Sequence, residues 1–284
     1  MTAAELGGLF AAAGAAGWGC VPYETLAAGM DGSARQRAEE LCPGARSVLT
    51  AAFSYYAGQA PGNLSLYARG RDYHLVLTRR LNTVCDTLRE KHPEYRFVPG
   101  TDSSPLPERE AARLSGLGMM GRNGLVILPP YGSWLFLGTI LTDLPLDLPQ
   151  ARPSPGCMDC GRCAAACPGG ALRGGTFEAE KCLSHLTQKK GELTQEQIAL
   201  VASHPYAWGC DLCQSVCPHN AGAMETALPE FRQDLIHTLT ADMVEGLTNR
   251  QFRERFGDRA FAWRGPAVLR RNLALQTREE KPEK

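Results

Sequence analysis

The chain has 284 residues, 44% hydrophobic and 21% charged, which buries a sizeable core and excludes disordered, collagenous and coiled-coil chains. Thirty basic side chains against thirty acidic ones leave no net charge, so no global field marks a nucleic-acid or membrane partner and any basic site is local. Leu6 to Val21 is apolar but Gly/Ala-rich and holds no Lys or Arg, unlike a signal peptide or a membrane span. Asn123 to Thr142, the longest uncharged run, is cut by Pro129, Pro130 and Gly132 and reads as two strands and a turn. The expectation is a cytoplasmic protein with no membrane partner, in which eleven cysteines stay reduced and need a role other than disulfides.

Residues 2 to 17 read as a small-residue helix and Ser33 to Cys42 as a second, with Ser33 at its N-cap. Arg46 to Tyr56 has the β-branched and aromatic character of a buried strand. A loop with Pro61, Gly62 and Asn63 leads into Tyr67 to His74, a stretch dense in polar and aromatic groups. From Asp72 onward Leu77, Leu81, Val84 and Leu88 recur at helical intervals, predicting an amphipathic helix that ends near His92 and Pro93. Tyr95 to Val98 is a short strand, Pro105 to Leu114 a helix, and Gly124 to Leu128 and Trp134 to Leu141 are strands flanking the turn at 129–132. Pro145, Pro149, Pro153 and Pro155 mark a linker. The chain therefore divides into an α/β part (1–145), a cysteine module (146–222) and a helical C-terminal segment (223–284). Arg250 to Arg271 holds seven arginines against Glu254 and Asp258, the one local basic patch, which by default is a solvated helix face.

Eight cysteines fall between 157 and 217. Cys157-x2-Cys160-x2-Cys163-x3-Cys167-Pro168 is the bacterial ferredoxin run, in which three thiolates hold one iron-sulfur cube and the fourth reaches the other. Cys210-x2-Cys213-x3-Cys217-Pro218 is the reciprocal run. By that logic Cys157, Cys160, Cys163 and Cys217 hold one 4Fe-4S cluster, and Cys167, Cys210, Cys213 and the remaining module thiol, Cys182, hold the other. Two zinc sites would also use eight thiolates, but usually as isolated CxxC pairs without the third Cys and the trailing Cys-Pro. Cys20, Cys42 and Cys85 read as buried small hydrophobes.

Gly116-Leu-Gly118-Met-Met-Gly121 satisfies G-x-G-x-x-G, but it follows a helix and precedes a strand, the reverse of a dinucleotide site. Its glycines instead allow close approach, to another segment or to a flat cofactor. His74 suits an acid, base or ligand and equally a loop hydrogen-bond network. Asp102 suits an N-cap as well as an acid, and His219 is placed to tune a cluster rather than to ligate it.

In order along the chain, Tyr67 to His74, Asp102 to Glu108, Gly116 to Asn123, Gly132 to Gly138, both cysteine runs, Cys182 to Thr187 and Leu269 to Asn272 resemble the epoxyqueuosine reductases, a cobalamin-dependent, double-cluster family of queuosine synthesis in tRNA. The likeness covers about residues 45 to 272. It implies an α+β protein, in which a nitroreductase-like α/β domain holding cobalamin precedes a ferredoxin-like double 4Fe-4S domain. It also implies an outside low-potential electron donor, and reduction of the epoxide of a modified tRNA base.

Asp102 matches the family's proton donor, a role needing its pKa raised by a dry pocket such as a corrin face would supply. By motif position, Tyr67, Arg69, Asp72, His74, Arg122, Asn123 and Ser133 are candidates for contact with cobalamin or substrate, while Glu108 is a candidate partner for an arginine. Met119 and Arg122 stand where the family commonly has an aromatic and a Lys. Many members carry further C-terminal helical repeats that help hold tRNA; without them the expected grip is Arg250 to Arg271. The alternatives are a reductase of a small epoxide or halogenated organic, and a non-enzymatic electron-transfer protein.

Overall fold

A computed structural model of the chain describes residues 1–146, 148 and 156–276. Most of the proline-rich linker, Pro149, Pro153 and Pro155 included, lies outside the described residues.

The first part is a four-stranded sheet between two helix layers. Helix α1 (Ala3–Ala12) starts at a capping box between Thr2 and Glu5. It ends at Ala12, short of the expected residue 17, and is followed by strand β1 (Gly17–Pro22), which the sequence did not predict. Helices α2 (Tyr23–Ala27) and α3 (Gly32–Leu41) come next. Asp31, not Ser33, caps α3: its carboxylate accepts the Ala34 N–H, and Ser33 Oγ donates to the same oxygen. Strand β2 (Ser47–Ser54) is buried at every position. The expected long helix is α4 (Tyr73–Lys91), capped by Asp72. Strand β3 (Phe97–Gly100), helix α5 (Glu108–Leu114), the small hairpin of β4 (Met119–Met120) and β5 (Val126–Ile127), and strand β6 (Leu135–Thr142) complete the part.

The sheet order is β1-β2-β6-β3, antiparallel throughout. Alternation along β2 sends Leu49, Ala51 and Phe53 to one face, against Leu6 and Phe10 of α1 and Leu77, Leu81 and Leu88 of α4. Val48 packs on the other face, against Leu26 of α2, Ala38 of α3 and Ala111 of α5. Gly19 in β1 is required by proximity, since a Cβ there would lie 2.6 Å from Ser115 Oγ.

Among the described residues the cysteine module carries the short α-helices α6 (Arg162–Ala165), α7 (Leu183–Gln188), α8 (Gln195–Ala202) and α9 (Leu212–Ser215). The C-terminal segment adds α10 (Ala241–Val244), α11 (Asn249–Phe256) and α12 (Pro266–Gln276). These parts share cores. Leu64 and Ala68 pack with Trp208, Phe252, Phe256, Phe261 and Leu269, and Leu64 pairs with Trp208 in a parallel bridge.

The arginines of the basic patch do not share one environment: Arg250, Arg253 and Arg255 are exposed on α11, while others are drawn into the fold. Arg259 is buried and donates to Arg69 O. Arg255 reaches Met243 O, Arg270 reaches Leu247 O, and Arg250 pairs with Glu254. Arg271 donates to Leu186 O, Lys189 O and Gly191 O, while the Asn272 amide donates to Thr187 O and Ala207 O. The physical reason is that the last carbonyls of α7 need donors, and Arg271 and Asn272 supply them.

Candidate functional site

The two central strands, β2 and β6, end together where Tyr55 N–H donates to Trp134 O. The loops leaving that edge run into the cysteine module, and two cavities lie there. Cys157, Cys160, Cys163 and Cys217 line one, with Arg122, Asn123 and His219. Cys167, Cys182, Cys210 and Cys213 are among the residues lining the other, a cavity of about 540 Å³. Asn123 lines both, and its side chain hydrogen-bonds Cys213. Cys160 is exposed and Met158 beside it is 57% exposed, so the first group lies at the surface. In the second group burial pushes the Cys210 and Cys213 thiols up to about 12, so taking up a metal there displaces protons from them. Four soft sulfur donors around each cavity fit a thiolate-held cluster. Cys42 and Cys85 are fully buried in the helix layers, and burial pushes their thiols up to about 11 and about 12.

The large cavity has an apolar wall of Leu135, Phe136 and Leu137 from β6 with Leu183 and Leu212, and three tyrosines, Tyr55, Tyr67 and Tyr73. Tyr67 is held by accepting the Trp208 indole N–H at 2.9 Å. Ser133 is buried, its N–H on Asn220 Oδ1 at 2.7 Å and its hydroxyl on Gln214 Oε1 at 2.9 Å, so it joins sheet and module as well as lining the space. Gly132 permits this approach: its φ is +65°, and a Cβ would lie 2.1 Å from Asn220 Oδ1.

Asp102, Glu108 and Arg109 line the same cavity. Asp102 has φ +56° on the loop between β3 and α5, and its N–H donates to Glu108 Oε1 at 2.6 Å. Pro107, not Asp102, is the N-cap of α5. Asp102 Oδ2 accepts from the Tyr73 hydroxyl at 3.0 Å and lies 3.1 Å from His74 Nε2, whose Nδ1 is 2.8 Å from Asp72 Oδ1. The two carboxylates, Asp102 foremost, raise His74 to about 9. The same contact, with the Tyr73 bond, holds the Asp102 carboxyl below the usual range, against the raised value its acid role calls for. Burial raises Glu108 to about 8. Its partner is the Asp102 backbone rather than an arginine.

Of the sequence candidates, Tyr67, Asn123, Ser133 and Asp102 reach the large cavity, and His74 borders it through Asp102. Three do not. Arg69 is a buried strut, donating to Leu64 O and Ala60 O. Asp72 caps α4 and orients His74. Arg122 pairs with Asp159 beside the smaller cavity. Sequence reasoning missed Tyr55 and Gln214, which no motif marks, and Tyr73 and Phe136, which lie inside the Tyr67 to His74 and Gly132 to Gly138 stretches. The Gly116 to Gly121 glycines serve another segment: a Cβ on Gly118 would lie 2.7 Å from Ile127 O.

Residues 156–220 match the family described as "4Fe-4S double cluster binding domain", and residues 35–103 that described as "Epoxyqueuosine reductase QueG, DUF1730". The epoxyqueuosine reductase of Gloeobacter violaceus is 36% identical over 272 residues, covering 90% of this chain and 83% of that one. That of Synechocystis sp. is 34% identical over 270 residues, covering 90% and 91%. The chain spans 66% of the relative from Bacillus cereus and 60% of that from Lactococcus garvieae. A solved epoxyqueuosine reductase with an epoxyqueuosine-modified tRNA-Tyr stem loop superposes with TM-score 0.84 at 28% identity, over 96% of this chain and 80% of that one. The Bacillus subtilis structure, which has its catalytic aspartate loop swung out of the active site, gives 0.83 at 28% identity and the same coverage.

Proposed function

The chain belongs to the epoxyqueuosine reductase family, and from that premise we propose that it reduces epoxyqueuosine in tRNA to queuosine, using two 4Fe-4S clusters and cobalamin. The observation that carries the reading is that one cavity joins a group of four cysteines to a hydrogen-bonded acid, Asp102, across an apolar wall. The sheet with its helix layers is then the nitroreductase-like unit and the cysteine module the ferredoxin-like one, with boundaries near 145 and 222.

Cys157, Cys160, Cys163 and Cys217 hold the outer cluster, where an external donor delivers electrons. Cys167, Cys182, Cys210 and Cys213 hold the inner one. The residues that would hold cobalamin are those of the large, half-open cavity, where Leu135, Phe136 and Leu137 of β6 with Tyr67 and Leu183 offer an apolar face to a corrin. Bound there, it supplies a reducible cobalt that is a strong nucleophile toward a strained carbon–oxygen bond. The protein's own task is the proton. Opening an epoxide leaves an alkoxide, and the proton it takes starts on His74 Nε2, charged at neutral pH, and passes through Asp102 Oδ2, which is ionised at rest. Tyr73 holds the acceptor oxygen in place, stacked on Phe136 at 4.4 Å.

The tRNA substrate places the enzyme in the cytoplasm. Among the described residues no helix is long and apolar enough to cross a membrane. A single-turnover assay on epoxyqueuosine-containing tRNA, with anaerobically reconstituted protein, tests the proposal. Queuosine is the expected product, and protein loaded with iron and corrin that forms none overturns the reading.

A further inference from the structure

His219 lines the smaller cavity beside Cys157, Cys160, Cys163 and Cys217, and its Nε2 is buried without a hydrogen-bond partner among the described residues. An imidazole nitrogen taken out of water and left without a partner is unfavourable, which points to a group that belongs in the cavity. The ring's place is fixed by its neighbours. His219 sits in the turn Pro218–Asn220, where Asn220 N–H donates to Cys217 O at 2.9 Å. The Asn220 side chain clamps the turn through Ser133 Oγ at 3.0 Å and Gln214 O at 2.8 Å. The cationic neighbour Arg122 is already engaged with Asp159 at 2.7 Å.

We propose that His219 donates an Nε2–H hydrogen bond to a sulfur of the cluster held by Cys157, Cys160, Cys163 and Cys217, and so raises the reduction potential of that cluster alone. This rests on the iron-sulfur reading above. A donor to sulfur stabilises the more negative, reduced cluster, and hydrogen bonds to the sulfurs are one of the levers that set such potentials. His219 thus acts through the cluster as a tuning residue. It makes the surface cluster, next to exposed Cys160, the easier one to load from an outside donor.

The test is a redox titration of both clusters, followed by electron paramagnetic resonance, in wild type, His219→Phe and His219→Gln, each with its iron counted. Phe keeps a ring and removes the donor; Gln keeps an N–H. In His219→Phe the reduced-to-oxidised ratio of one cluster at its wild-type midpoint falls about tenfold, which is ~59 mV for a one-electron couple. The other cluster is unmoved, and His219→Gln recovers most of the shift. Unchanged potentials overturn the proposal. So does loss of about half the iron from His219→Phe, which makes the ring a ligand or scaffold. Wild-type protein that takes up no iron is a different failure, that of the cluster reading itself.

Discussion

Asp102 carries its carboxylate on a residue with positive φ, a conformation Asp tolerates better than most and one that the Glu108 contact to its N–H helps hold. That geometry turns the carboxylate toward His74 and leaves it 63% exposed on the open cavity side. Replacing Asp102 by Asn keeps shape and removes the carboxylate that takes up and passes on the proton. The single-turnover rate is expected to fall about 10²- to 10⁴-fold, the usual weight of a positioned acid, with iron and corrin content unchanged. A loss of less than tenfold assigns the proton to another group. His74 adds a pH dependence whose sign follows from its raised value. The imidazolium is faced by Asp102 and Asp72, with Glu108 behind Asp102, so its ion pairs are complete below the ordinary histidine range and vanish as pH rises through about 9. Turnover therefore has an alkaline limb near pH 9. Asp72→Asn, which keeps the α4 cap while deleting one carboxylate, moves that limb to lower pH. A limb that stays in place in this variant removes His74 from the proton path.

Among the elements, α4 was legible because its apolar stripe repeats at helical spacing and its cap, Asp72, precedes it. The two cysteine runs were legible because ligand spacing is written locally. Strand β1 was not: Gly17 to Pro22 continues the Gly/Ala composition of α1, and its identity comes from pairing with β2 and from Ser115 pressing on Gly19. The arginines at 250–271 were only partly legible, since a count of charge does not tell Arg250, Arg253 and Arg255, exposed on α11, from Arg259, which is buried. Leu269 to Asn272, met as a motif, is a lock between α12 and α7. Asn272 is fully buried and its amide serves two carbonyls, at 2.7 and 2.8 Å. Asn272→Ala leaves both short of a donor, for about 2–4 kcal/mol. The expected outcome in thermal unfolding of the holoprotein is a melting point several degrees lower, whereas Arg250→Ala on exposed α11 changes it little. Equal melting points for the two variants make the lock incidental.

At the scale of the molecule, the fold places two groups of thiols in series between solvent and the acid. The outer group meets the surface at Cys160, the inner group opens on the large cavity, and Asn123 stands at both. On the proposed function, electrons would enter at the surface cysteines and the proton through His74, by two different sets of residues around one cavity. The division can be tested one thiol at a time. Cys157→Ser and Cys182→Ser are each expected to lose about half the iron, but from different clusters, so each variant retains the resonance signal the other lacks. Cys20→Ser, away from both cavities, retains all of it. The functional consequences differ as well. With Cys182→Ser the surface cluster still accepts an electron from dithionite while turnover stops, because the step into the large cavity is missing. If both cysteine variants lose the same signal, the thiols are shared in another pattern and the two cavities are not two cluster sites.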